Sequence, residues 1–187
     1  ILMNPKEFLV KDSFKEITRK HSLERIEFEF DRFGLKREKR IQMIELGTLG
    51  QLIFKHYLDS EDIIYDFEFQ AGNYDEKDFQ IGKSIVEIKT SGYSDEEGYT
   101  HLNAIYNYNQ MQQAEKKNIS LVVQVFVNGY SKNEKTFNLE KCNKALILGF
   151  STIQELKNAE LRPLPFGKAY LKPLRELKNI EDLEDYI

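Results

Sequence analysis

Apolar residues recur at helical spacing between about residues 39 and 58. Those that mark one side of this predicted helix are Ile41, Ile44, Leu49, Leu52, Ile53 and Tyr57. Gly47 and Gly50 lie inside the segment, where a glycine costs about 1 kcal/mol relative to alanine. We therefore expect this helix to pack closely on a sheet, because the close approach would compensate for that cost.

Shorter apolar runs after this helix predict strands. A tight Gly82-Lys83 turn joins two of them and predicts a hairpin. A nearly continuous apolar run over 120–127 is typical of a buried central strand. Further strands are predicted at about 26–30, 63–69 and 144–150.

Capping residues mark the starts of two other helices. Asn4-Pro5 is typical of a helix start, and Thr152 with Glu155 forms the pattern of a capping box. The first of these two helices covers about 4–20. Further helices are predicted at about 100–117 and 174–185, and a proline-containing connector at 161–173. This alternation, without repeats or a linker, predicts one α/β (α+β) domain over 1–187 with a central mixed β-sheet flanked by helices.

Composition and charge narrow the function classes. The chain has 187 residues, of which 41% are hydrophobic and 31% charged, as in a globular protein. Its single cysteine, Cys142, excludes an internal disulfide framework and favours a reducing compartment. A net charge of −4 argues against a protein that coats nucleic acid by bulk electrostatics. No run approaches the roughly 18 apolar residues of a membrane helix, so we expect a cytoplasmic protein without a membrane partner.

Acidic and basic residues around the predicted hairpin are the strongest chemical signal. Asp78 opens the first strand, and Glu87 and Lys89 lie two residues apart on the second, so they share one face of the sheet. Asp78 can lie close to Glu87 across the hairpin. Two adjacent carboxylates repel each other unless a hard cation such as Mg²⁺ lies between them.

An Asp followed after eight residues by Glu-x-Lys resembles the pattern of the PD-(D/E)XK nuclease superfamily. The resemblance implies a restriction endonuclease-like α-β-β-β-α-β core over about residues 41–128. Lys77 replaces the proline that often precedes the aspartate, and Asp75 is a rival for the same role. The Gln-x-x-x-Tyr element of one branch is absent, so the branch is not identified.

The resemblance implies Mg²⁺-dependent hydrolysis of phosphodiester bonds by an endonuclease of the restriction or repair type, with Mn²⁺ able to substitute and DNA favoured over RNA. The implied metal ligands are Asp78, Glu87, the main-chain carbonyl of Ile88 and Glu45, which lies on the preceding helix. Lys89 would orient the attacking water.

Contacts with nucleic acid are expected from basic, aromatic and amide side chains near this motif. They are Lys36, Arg37, Lys39, Arg40, Tyr93, Gln110 and Gln113. A homodimer is also compatible with the sequence.

Other interpretations of the same residues remain open. Glu-x-Lys also occurs at Glu115–Lys117, Glu155–Lys157 and Glu176–Lys178, where we expect surface pairs. The alternative for Glu87 and Lys89 is a surface charge ladder. The alternative functions are an RNA-cleaving viral-type endonuclease, a catalytically inactive nucleic-acid-binding or structural module of the same fold, and a small interaction domain without a nucleic-acid partner.

Overall fold

The computed structural model describes residues 4–28, 34–67, 79–96, 103–165 and 167–187. Within them the chain forms a mixed α+β structure. Its helices are α1 (Asp12–Ile26), α2 (Arg37–Ser60), α3 (Tyr108–Lys116) and α4 (Ile153–Lys157), with 3₁₀ helices at Leu139–Lys141, Leu174–Glu176 and Ile180–Tyr186. Its strands are β1 (Lys6–Leu9), β2 (Phe79–Ile81), β3 (Ser84–Gly92), β4 (Asn103–Asn107), β5 (Leu121–Val127), β6 (Tyr130–Ser131), β7 (Thr136–Phe137), β8 (Lys144–Thr152), β9 (Glu160–Leu164) and β10 (Gly167–Pro173).

A five-stranded mixed sheet forms the centre of the molecule, with the order β1-β8-β5-β3-β2. β3 and β5 are parallel, and the other neighbours are antiparallel. β5 is buried along its whole length, which explains its continuous apolar sequence. The predicted hairpin, central strand and strand at 144–150 are therefore confirmed.

Parallel strands need a crossover, and β4 and α3 belong to the one between β3 and β5. β4 also pairs with β10, which pairs with β9, so a second sheet of three strands forms with the order β4-β10-β9. This arrangement covers the polar face of β3.

Helix α2 packs on the opposite face of β3. Gly50 lies directly over Thr90, and a Cβ built on Gly50 would stand 1.9 Å from Thr90 Oγ1. Val86 and Ile88 point to the same side and join the main apolar core. Because side chains alternate along a strand, Glu87 and Lys89 point away from α2.

The first helix begins later than Asn4-Pro5 predicts. Lys6–Leu9 pairs with β8, ending with Leu9 opposite Lys144, and α1 begins only at Asp12. Pairing with a distant strand outweighs the local capping signal here. Ile26, the start of a predicted strand at 26–30, is instead the last residue of α1. Glu27 and Phe28 form a turn after it, and residues 29–30 lie outside the described residues.

In the described part of the predicted helix at 100–117, only Tyr108–Lys116 is helical. Asn103–Asn107 pairs with β10, and the Asn107 backbone N–H donates to Gln110 Oε1 at 3.3 Å where the helix begins. The proline-containing connector is largely the β9-β10 hairpin, and the predicted helix at 174–185 consists of 3₁₀ turns. Asn103–Asn107 is a strand and not a helix because β10, which is distant in sequence, provides its hydrogen bonds.

The predicted strand at 63–69 pairs at one described residue. Asp66 forms an isolated antiparallel bridge with Gln80, and each backbone N–H donates to the other residue's carbonyl. The part of that strand beyond Phe67 lies outside the described residues. None of the described helices is both long and apolar enough to cross a membrane.

Candidate functional site

Glu87 and Lys89 form an ion pair on the polar face of β3. Glu87 Oε1 lies 2.8 Å from Lys89 Nζ, and the two side chains are 19% and 23% exposed. This degree of burial separates the pair from an ordinary surface ladder, because the surroundings screen its charges less than water would.

Tyr106 of β4 contacts both members of the pair. Its hydroxyl donates a hydrogen bond to Glu87 Oε2. The Lys89 ammonium lies over its ring, 5.0 Å from the ring centre. Tyr106 is 2% exposed, so a buried aromatic side chain of the second sheet holds the ion pair of the first.

A cleft of about 240 Å³ lies beside Lys89. Its lining residues are Lys89, Thr90, Ser91, Asn103, Ile105, Gln110, Gln124 and Phe126. Gln124 is opposite Lys89 in the parallel ladder and donates to the Lys89 carbonyl at 3.2 Å and to Ser91 Oγ at 3.4 Å. The cleft therefore combines one ammonium with neutral hydrogen-bonding groups.

The expected second carboxylate cannot be placed, because Asp78 and its rival Asp75 lie outside the described residues. The described ladder between β2 and β3 ends at the Phe79–Val86 pair. Ile88 has its side chain in the core below α2, between the two polar residues of the motif.

The described oxygen ligands are of the type that a hard cation prefers, but they are too few to hold one. The Glu87 carboxylate is an oxygen ligand of the kind that Mg²⁺ prefers. Across the described parts of the chain, however, no group of three or more His, Cys, Asp or Glu side chains could hold a metal ion. A metal centre at Glu87 therefore depends on a further carboxylate such as Asp78.

Glu45 lines a different cleft from Lys89. It faces a space of about 620 Å³ lined by residues that follow β3 and β5, among them Asp95 and Tyr130. Burial raises the pKa of Glu45 above its usual value, and the charge of Arg19 offsets part of that rise. Its helix covers the face of β3 away from Glu87, so the structure does not bring Glu45 and Glu87 into one cleft.

A buried amide organises this second cleft. Asn128 is 1% exposed, and its Nδ2 donates to the two carboxylate oxygens of Asp95 at 3.0 and 2.8 Å. Its Oδ1 accepts from the backbone N–H groups of Asn143 and Lys144. Asp95 is thus fixed by the sheet, at the carboxyl ends of the two parallel strands.

The basic cluster at the start of α2 also lies towards the second cleft. Arg37 pairs with Glu27 at 2.5 Å, and Lys39 donates to the carbonyl of Lys135. Gln42, one turn after Glu38, accepts from the backbone N–H of Phe137. Arg37 and Lys39 thus have partners away from the Glu87–Lys89 pair, and none of Lys36, Arg37, Lys39 and Arg40 lines the cleft beside Lys89.

Of the remaining expected nucleic-acid contacts, only Gln110 lines the cleft beside Lys89. Gln113 is exposed and does not line it. Tyr93 is 7% exposed and packs in an apolar cluster with Phe126 and Leu146, so its ring cannot stack on a base.

The other Glu-x-Lys tripeptides form surface ion pairs, as expected. Each of these pairs joins two different tripeptides. Lys157 pairs with Glu115, and Lys178 pairs with Glu155 at 2.9 Å. Cys142 is fully buried, and burial raises the pKa of its thiol to about 12, which disfavours a nucleophilic thiolate.

Sequence reasoning missed the roles of Tyr106 and Gln124 in this site. Gln124 had a usable signal, since it is the single polar residue in the apolar run LVVQVFV and a buried amide needs hydrogen-bond partners. Tyr106 had no such signal in the sequence, because its segment was predicted as helix and its contact with Glu87 depends on the second sheet.

Comparison with known proteins does not identify a family for this chain. No family model matches the chain, and no curated protein matches it.

Proposed function

We propose that this chain is a Mg²⁺-dependent nuclease of the PD-(D/E)XK type, which hydrolyses phosphodiester bonds with DNA favoured over RNA. The observation that carries the proposal is the partly buried Glu87–Lys89 pair on the second strand of a tight hairpin, where Lys89 lines a cleft. Of the four Glu-x-Lys tripeptides, this is the one placed on a strand of the central sheet.

The order of elements supports the same proposal. Helix α2, the Asp66–Gln80 bridge, β2, β3, α3 and β5 follow one another, and β5 is parallel to β3. This order agrees with the α-β-β-β-α-β core that the resemblance implies, with the bridge in the place of the first strand. β4 is an addition between β3 and α3.

In this proposal Glu87 and Asp78 hold the cation, with the main-chain carbonyl of Ile88 as a third oxygen ligand. Held there, Mg²⁺ would lower the pKa of a coordinated water and offset negative charge on the scissile phosphate. Lys89 lies within hydrogen-bonding distance of Glu87 and donates to the attacking water or to a phosphate oxygen. The neutral lining of Gln110 and Gln124 offers hydrogen bonds to the substrate without repelling its phosphates.

A cleavage assay on linear, circular and single-stranded DNA and on RNA, with Mg²⁺ or Mn²⁺, tests the proposal. We expect metal-dependent cleavage by the wild-type chain and at least a hundredfold loss in Glu87→Gln. Asp78→Asn should also be inactive, whereas Asp75→Asn should cleave normally. If the folded wild-type chain binds DNA but does not cleave any of these substrates, the enzyme proposal is wrong and the non-catalytic alternative is favoured.

Titration of Mn²⁺ by calorimetry provides an independent measurement. We expect one or two bound ions for the wild-type chain and no binding for Asp78→Asn. Normal Mn²⁺ binding by both Asp78→Asn and Glu87→Gln would exclude this metal centre, whatever the cleavage results.

A further inference from the structure

The two carboxylate oxygens of Glu87 have different partners. Oε1 lies 2.8 Å from the Lys89 ammonium, and Oε2 accepts a hydrogen bond from the Tyr106 hydroxyl. Lys89 is a long side chain with rotatable bonds, so its hold on Oε1 can be exchanged for another donor or for a cation. Each carboxylate oxygen has two lone pairs, and the hydroxyl bond therefore leaves room for a further ligand on Oε2.

Tyr106 is held more firmly than either charged residue. It is 2% exposed and packs with Met111, Val122 and Leu156 in an apolar cluster. On its strand it stands opposite Tyr170 of β10, so backbone pairing fixes its position. A hydroxyl with a buried ring and a paired backbone is a fixed point from which a carboxylate can be oriented.

The same ring also limits the position of Lys89. The ammonium lies 5.0 Å from the ring centre, where the negative face of the ring attracts a cation. One buried side chain thus contacts both charged residues of the motif. Its strand lies outside the five-stranded sheet that carries them.

We infer that Tyr106 is a positioning residue for the metal centre, which fixes the Glu87 carboxylate for a hard divalent cation and keeps Lys89 beside it. This inference rests on the proposed function. Hydrogen-bonding partners of metal ligands typically change metal affinity by about 10–100-fold when they are removed. The residue acts through Glu87 and Lys89 and does not itself need to contact the substrate.

The test compares Tyr106→Phe, which removes only the hydroxyl, with Tyr57→Phe. Tyr57 is a matched control, because it is also 2% exposed and its hydroxyl donates to the Ile180 carbonyl at 2.9 Å, on the α2 side of the sheet. By calorimetry we expect Tyr106→Phe to bind Mn²⁺ about tenfold more weakly than wild type. Tyr57→Phe should lower the melting temperature and leave Mn²⁺ affinity unchanged.

Terbium luminescence provides a signature that a purely structural role would not change. The chain has no tryptophan, so tyrosine is the main side chain that can pass excitation energy to a bound Tb³⁺ ion. We expect tyrosine-sensitised emission from the wild-type chain, its retention in Tyr57→Phe, and a marked loss in Tyr106→Phe when the metal site is saturated.

The outcomes separate the two claims. If wild type binds Mn²⁺, Glu87→Gln does not, and Tyr106→Phe matches wild type in affinity and emission, the inference is overturned while the proposed function stands. If wild type binds no Mn²⁺, both are overturned. Should Tyr106→Phe fail to fold, the wild-type chain decides, because bound Tb³⁺ without tyrosine-sensitised emission contradicts a tyrosine beside the site.

Discussion

Gly50 of α2 and Thr90 of β3 are in such close contact that no methyl group fits between helix and strand. A Cβ on Gly50 would lie 1.9 Å from Thr90 Oγ1 and 2.9 Å from its Cβ and Cγ2. Thr90 follows Lys89 directly, so this contact fixes the height of the helix above the strand that carries the proposed site. The glycine cost that the sequence indicates at this position is therefore offset by packing.

Gly50→Ala should destabilise the protein by about 1–3 kcal/mol, as overpacking in a core typically does. Gly47 lies in the same helix, but an added Cβ there meets nothing within 4 Å. Gly47→Ala should therefore stabilise by up to about 1 kcal/mol through helix propensity. Urea denaturation measures both changes.

A second substitution checks the cause of the Gly50 effect. Thr90 Oγ1 is buried and makes no hydrogen bond within the described residues, so Thr90→Ala should cost little. Combined with Gly50→Ala, it should recover part of the lost stability. Additive losses in the double variant would show that the contact with Thr90 is not responsible.

Lys89→Met should abolish cleavage, because Met keeps the length of the side chain and removes its charge and donors. The matched control is Lys157→Met, since Lys157 also belongs to a Glu-x-Lys tripeptide but pairs with Glu115 at the surface. We expect wild-type cleavage and an unchanged circular dichroism spectrum from the control. Equal loss of activity in both variants would contradict the choice of Glu87–Lys89 among the four tripeptides.

Glu45→Gln should stabilise the protein at pH 7 and have no effect near pH 3. Burial raises the pKa of Glu45 in the folded state, so the protonated form favours folding. That contribution is fully present below the usual pKa of about 4.3 and is lost as the pH rises through the higher folded value. The denaturation midpoint in urea at the two pH values measures the difference. A lower midpoint for Glu45→Gln at pH 7 would contradict the argument.

The same variant also separates the two clefts. Because Glu45 faces Asp95 and Tyr130 rather than Glu87, its Mn²⁺ affinity and cleavage rate should equal those of wild type. Weaker Mn²⁺ binding in Glu45→Gln would return Glu45 to the ligand set that the resemblance implies.

Cys142 should react with thiol reagents only after unfolding. It is fully buried, and burial raises the pKa of its thiol to about 12, so both access and ionisation oppose reaction. Labelling with a chromogenic disulfide should be slow in native buffer and complete within minutes in denaturant. Fast labelling of the folded chain, with an unchanged circular dichroism spectrum, would contradict this placement.

Several features follow from local sequence alone. The Gly82-Lys83 turn predicts the β2-β3 hairpin, and side-chain alternation then puts Glu87 and Lys89 on one face. The apolar run of β5 and the periodicity of α2 likewise predict their own elements. These signals are local because turn geometry and residue spacing are properties of short segments.

Tertiary structure decided the elements whose partners are distant in sequence. Lys6–Leu9 is a strand because β8 provides its hydrogen bonds, and Asn103–Asn107 is a strand because β10 does. Neither segment shows that partner in its own residues, so local capping and helix signals predicted the wrong state.

The arrangement of the site also depends partly on local sequence and partly on tertiary structure. The sequence by itself determined that Glu87 and Lys89 share a face, because that depends only on the period of a strand. Only the tertiary structure decided that Tyr106 lies against them and that Glu45 does not. The face of α2 that meets the sheet, and the strand that covers Glu87, are set by packing between distant segments, which the spacing of residues along the chain does not encode.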